Sequence, residues 1–195
     1  MGTATAIFGA LWADNFLEQA REQEEDAKNA RVIYYDLKII FGQLQKIMED
    51  SSVNNSSNKV MNPIFFGNYN LFAGTIHNYR ILFDEHWIRT VASLPDSSFD
   101  TDLREHIYIL YDHLCRIKHA LDRCPVSYID NSHIDEYCTA YSEIFDLVMI
   151  APDEYRPDFS NESLKDSQKK SREKTEKVWS ELKRMVGVKK HQFPN

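Results

Sequence analysis

With 195 residues, 43% of them apolar and 27% charged, the chain has the size and composition of one folded domain and not of a disordered tail. Six glycines and six prolines are too few for the turns of a many-stranded sheet, which favours helices. A net charge of −7 argues against a general nucleic-acid binder, because phosphate binding needs positive surface.

The N-terminus, MGTATAIFGALWADNFLEQ, opens with an apolar run from Ala4 to Ala13. A bilayer span needs about 20 such residues, and no basic stretch marks a signal peptide. Residues 1–13 therefore read as an arm or as the remnant of a membrane anchor. Beyond them, Glu18–Arg31 is nearly all polar and rich in helix formers. An amphipathic pattern follows in Ile33, Leu37, Ile40, Phe41, Leu44, Ile47 and Met48. One helix from about Leu11 to Glu49 is predicted, its middle solvated, with Gly42 inside it at a cost of about 1 kcal/mol relative to Ala. The passage EQAREQEEDAKNARVIYYDLK, with its ARxxYxDLK-like end after a short apolar start, resembles bacterial helical proteins with a single N-terminal membrane span. In those proteins the span leads into a charged helix and then a helical soluble domain; here the span is truncated or absent. The resemblance covers residues 1–50. It implies membrane association through the N-terminus and brings no activity with it.

Residues 50–62, DSSVNNSSNKVMN, are a Ser/Asn-rich linker loop closed by Pro63. The aromatic passage IFFGNYNLFAGTIHNY, broken by Gly67 and Gly74, is expected to be irregular or short-helical. A helix from about Ile76 to Ser93 follows, with Tyr79, Leu82, Phe83, His86, Trp87 and Thr90 or Val91 inward, and Leu94-Pro95-Asp96 closes it.

The most regular stretch runs from Asp100 to Arg123. Leu103, Ile107, Leu110, Leu114, Ile117 and Leu121 recur at steps of four and three, so they share one stripe of a helix. Asp100 or Thr101 can cap its start, and Pro125 stops it. Such a seam needs other helices against it. After the CPVSYID loop, Ser132 and Asp135 resemble a capping box for a helix ending near Ile150, with Ile134, Cys138, Tyr141, Phe145 and Val148 as its stripe. A final helix is predicted from about Ser163 to Val186, and its first half, KDSQKKSREKTEK, shows no core face.

Charge is unevenly spread. Leu164–Lys190 holds ten basic and four acidic residues, which leaves thirteen basic and twenty-six acidic for the rest. Intramolecular pairing is the preferred explanation, with Glu18, Glu22, Glu24, Glu25 and Asp26 of the first helix as the partners. The same basic run supplies the candidate binding residues for an anionic surface: Lys165, Lys169, Lys170, Arg172, Lys174 and Lys177. No aromatic lies among them, which disfavours stacking on single-stranded nucleic acid.

Motifs for chemistry are sparse. His106 and His113 share a helix face, and Cys115 and His119 are four apart, but no HExxH pairing or second ligand cluster accompanies them, so no metal site is assigned. There is no P-loop, Gly-rich phosphate loop or GxSxG elbow, and no cofactor is expected. Phe65, Phe66, Tyr69, Phe72 and Trp87 suit a core more than a ligand pocket. Arg80-Ile-Leu-Phe-Asp-Glu-His86 resembles the Arg-then-His motif of the HEPN nucleases, small helical bundles that cut RNA without metal. That resemblance implies His86 for proton transfer and Arg80 for phosphate charge. It departs from the family at Ile81, where a polar residue is common. About 600° of rotation also separates the two side chains on a single helix unless a dimer joins them. Cys115, Cys124 and Cys138 form an odd set without a CxxC pair, which fits a reducing compartment.

Together these features predict an all-α, single-domain helical bundle over residues 1–195, with about five helices and the long N- and C-terminal ones packed together. The expected role is a non-enzymatic protein–protein interaction module, of the kind a bacterial or phage-encoded regulator or inhibitor would be. Its partner would be another protein, with a basic surface suited to the acidic body, or a second copy in a homodimer. The alternatives are a HEPN-like ribonuclease using Arg80 and His86, and a membrane-associated helical protein. The expected location is cytoplasmic, or at the membrane through the N-terminus.

Overall fold

A computed structural model describes residues 2–51, 53–55, 58–60, 91, 94, 99–124, 133–156 and 166–188. Helix α1 covers Gly2–Ser51, 50 residues and so about 75 Å of helix. It starts nine residues before the predicted Leu11, because the segment before Leu11 holds three alanines and no proline to stop the helix. Its second half buries Ala30, Ile33, Leu37, Ile40, Phe41, Leu44, Ile47 and Met48, while residues 14–25 are exposed throughout.

The predicted linker contains a small hairpin. Strand β1 (Val53–Asn55) pairs antiparallel with β2 (Asn58–Val60), Val53 opposite Val60 and Asn55 opposite Asn58. Two β-branched residues bracketing Asn- and Ser-rich turn chemistry explain it.

Helix α2 is Thr101–Arg123. Asp100 caps it, its side chain accepting from the Leu103 N–H at 2.9 Å. All six predicted seam residues are buried, joined by His106, Tyr111 and Ala120. At the far end Cys124 turns extended (ψ 128°), as the residue before Pro125 must. Phe99, just before the cap, sits at φ 65°, and its N–H donates to Asp26 Oδ1 at 3.2 Å, tying the start of α2 to α1.

Helix α3 is Ile134–Ile150. Its N-cap is His133, without a side-chain cap bond; Ser132 of the expected capping box lies outside the described residues, and Asp135 is the second helical residue, one short of the position that closes such a box. The buried face is Tyr137, Ala140, Tyr141, Ile144, Leu147 and Val148. Ile134, Cys138 and Phe145 of the predicted stripe are only half-buried, so the helix is rotated from the expected orientation. A 3₁₀ turn at Asp153–Tyr155 leads on toward α4, Asp166–Val188.

Among the described residues the fold is all-α apart from that hairpin, and the helices form a bundle. Its most extensive packing is α2 on α3 and α1 on α4, and α3 and α4 each touch both α1 and α2. Among the described residues four long helices stand where about five are expected. The helix predicted over 76–93 lies outside those residues, apart from the helical, buried Val91. The N- and C-terminal helices do pack together, but on the core half of α1, where Trp179 stacks on Tyr34 at 4.7 Å and meets Phe41 edge-on. Residues 14–25 of the acidic stretch stay exposed. Among the described residues no helix is long and apolar enough to cross a membrane.

Candidate functional site

Three features stand out among the described residues: a buried polar contact, a groove beside it, and an apolar stripe on the far side of α1.

The polar contact joins α2 to α4. His106 is 4% exposed and Thr175 1% exposed, and His106 Nε2 lies 2.9 Å from Thr175 Oγ1. The Thr175 hydroxyl donates its single proton to the Ser171 carbonyl at 3.0 Å. It can therefore only accept from the imidazole, which fixes the proton on Nε2. Nδ1 is buried without a hydrogen-bond partner, tolerable for a lone pair and costly for an N–H. Burial, reinforced by Lys174 and His113, pushes the His106 pKa down to about 4. A hydroxyl already committed to a carbonyl and an imidazole that is only 4% exposed make a poor nucleophile and base. The pair acts as a bolt between helices.

This contact also overturns an expectation. The first half of α4 does have a core face, carried by Thr175, which continues backwards the line of Val178, Trp179 and Leu182.

Beside the bolt, α2 and α4 splay into a groove of about 620 Å³. Asp100, Asp102 and Glu105 form one lip, Lys174, Lys177 and Arg184 belong to the other, and Leu103, Ile109, Val178 and His106 line the floor. Arg184 is held by Glu181 of its own helix, which raises its pKa and lowers that of Glu181. No ion pair crosses the groove among the described residues.

The predicted basic surface is dispersed. Lys169 and Lys170 point outward, with Lys169 paired to Asp166 of its own helix at 3.6 Å. Lys174 and Lys177 border the groove. Arg172 turns to the opposite flank and binds Asp153 at 2.9 Å. Lys165 lies outside the described residues, as do Arg80, His86 and the aromatic group Phe65, Phe66, Tyr69, Phe72 and Trp87.

The acidic partners of α4 are not those expected either. Lys183 binds Glu154 at 2.9 Å, and the indole Nε1 of Trp179 donates to the same carboxylate. Burial alone would raise the Glu154 pKa, but those two bonds and nearby Lys38 hold it below the usual range. The 3₁₀ turn, with only ten residues between it and α4, reaches the basic half before the α1 stretch can. Asp26, one of the five predicted partners, accepts from the Phe99 backbone instead. Cys115 and Cys138 are half-buried free thiols with pKa values raised chiefly by burial, and His119 is exposed.

The third feature is one that sequence reasoning missed. On α1, Val32, Tyr35 and Ile39 are 41%, 49% and 57% exposed, on the side away from Ile33, Leu37, Ile40 and Leu44. Their three- and four-residue spacing makes a second apolar face on a helix that already has one. Arg21, Glu25, Lys28, Lys46 and Asp50 flank it along the axis, all exposed. The body is acidic, but this face carries three basic and two acidic side chains. No protein-family model, curated protein or solved structure matches the chain.

Proposed function

We propose that the protein is a non-enzymatic helical interaction module that binds another protein through the outward face of α1. The observation that carries this reading is the exposed Val32–Tyr35–Ile39 stripe. It is contiguous, lies on a rigid helix anchored by its opposite face, and is rimmed by charge, the form of apolar surface that a protein contact covers. Tyr35 supplies a large amphipathic ring of the type enriched at binding hot spots. A regulator or inhibitor that acts by occupying a surface needs no more machinery than this.

Photo-crosslinking in the native host tests it. A benzophenone amino acid in place of Tyr35 is expected to give a discrete covalent protein adduct. The same group in place of Asp166, whose side chain is 95% exposed on α4, is expected to give none. Equal labelling at the two positions, or no adduct at either, would contradict the proposal.

A further inference from the structure

We infer that the occupant of this face is a second copy of the chain, with the two α1 helices antiparallel and the two-fold axis passing between Tyr35 and Asp36. The inference rests on the reading of the face as a protein-binding surface and names its partner.

The argument is charge complementarity. At 100° per residue, the outward residues between Arg21 and Asp50 fall within an arc of about 80° and recur every three or four positions. A two-fold axis between residues 35 and 36 sets each of them against the residue whose number completes 71. Arg21 then faces Asp50 of the second copy, and Glu25 faces Lys46. Val32 meets Ile39, and Tyr35 falls opposite Asp36, so the two Tyr35 rings lie side by side within one residue of the axis. Lys28 falls opposite Gln43, which is neutral. Every charged residue of the face thus meets an opposite charge or an amide, and the apolar side chains meet each other.

A parallel pairing fails the same test. It would set Glu25 against Glu25, Lys28 against Lys28 and Lys46 against Lys46, and like charges directly opposed are destabilising. The antiparallel contact runs the length of Arg21–Asp50, about 45 Å of helix. Its central apolar part is exposed in the single chain, so pairing removes solvent-facing apolar surface from both copies.

The test uses the full chain in sedimentation equilibrium. The native protein is expected to be a dimer at micromolar concentration. Ile39→Glu should weaken the dimer at least tenfold, and Glu25→Lys or Lys46→Glu alone by about tenfold, since each reverses two symmetry-related pairs. An equimolar mixture of the Glu25→Lys chain with the Lys46→Glu chain should regain a heterodimer close to native affinity, because both cross-pairs are then opposite in charge. A monomeric native chain overturns the inference. So does a dimer indifferent to Ile39→Glu and to the charge reversals, which would place the interface elsewhere. Should the native chain be monomeric while the Tyr35 crosslink captures a different protein, the second copy is removed and the binding role of the face stands.

Discussion

Two rows of similar side chains, the inner seam of α2 and the outer stripe of α1, have opposite fates. Leu110, Leu114 and Ile117 are hidden from solvent entirely or nearly so, whereas Val32, Tyr35 and Ile39 keep roughly half of their surface exposed. Both rows obey the same three-and-four spacing, so periodicity alone does not separate them. What separates them is the opposite side of each helix. Around α2 most of the remaining surface is charged, while α1 already spends Ile33, Leu37, Ile40 and Leu44 on the core. An apolar row beyond the one that the fold consumes stabilises the monomer little, and its driving force is left for association.

Breaking the inner row should have the largest effect. Leu114 is fully buried, and Leu114→Ala should cost about 2–5 kcal/mol of unfolding free energy in denaturant titration, the transfer term plus a cavity. Acid should act next, through the bolt beside that row. His106 titrates near 4 when folded and about 6.5 when unfolded, so its stabilising contribution is complete above pH 6.5. As pH falls toward 4 the unfolded chain takes up a proton that the folded one refuses, and stability drops by up to about 3 kcal/mol. Thermal melts of native protein and His106→Gln across that window should diverge, with the variant showing the flatter profile. Thr175→Val keeps the shape but strands the buried Nε2–H, at about 1–3 kcal/mol.

Smaller effects belong to α1. Gly42→Ala should stabilise by about 1 kcal/mol, since among the described residues an added Cβ meets only Tyr155 Cε1 at an ordinary 3.9 Å and helix propensity improves. Smallest of all for the isolated fold is Ile39→Glu, expected within about 0.5 kcal/mol of native when measured on the monomer. A multi-kcal/mol loss there would make the outer stripe part of the core and erase the contrast.

Much of the bundle is legible in the sequence because α2 has one apolar face, a side-chain cap and a proline stop, each a local signal. Helix α3 is less legible: Tyr137 and Ala140 compete with Cys138 and Phe145 for the inner side, and only packing on α2 decides between them. The His106–Thr175 bolt hides in a run of lysines and glutamates. Its trace is that Thr175 extends the Val178, Trp179 and Leu182 spacing one turn backwards. Among the described residues α4 pairs with Asp153 and Glu154 and not with Glu18–Asp26, because charge totals say nothing about which segments adjoin. The outer stripe leaves a clear signal in Val32, Tyr35 and Ile39, masked by the stronger row one position along.

The most direct measurement is the distance between copies of one residue in the associated protein. Spin labels replace Tyr35 or Arg21 in chains whose Cys115, Cys124 and Cys138 have been changed to serine or alanine, and dipolar spectroscopy reads the separation. The antiparallel pairing predicts a short distance for labels at position 35 and about 43 Å for labels at position 21, the rise of 29 helical residues. Short distances at both positions, or no dipolar coupling at position 35, would contradict it.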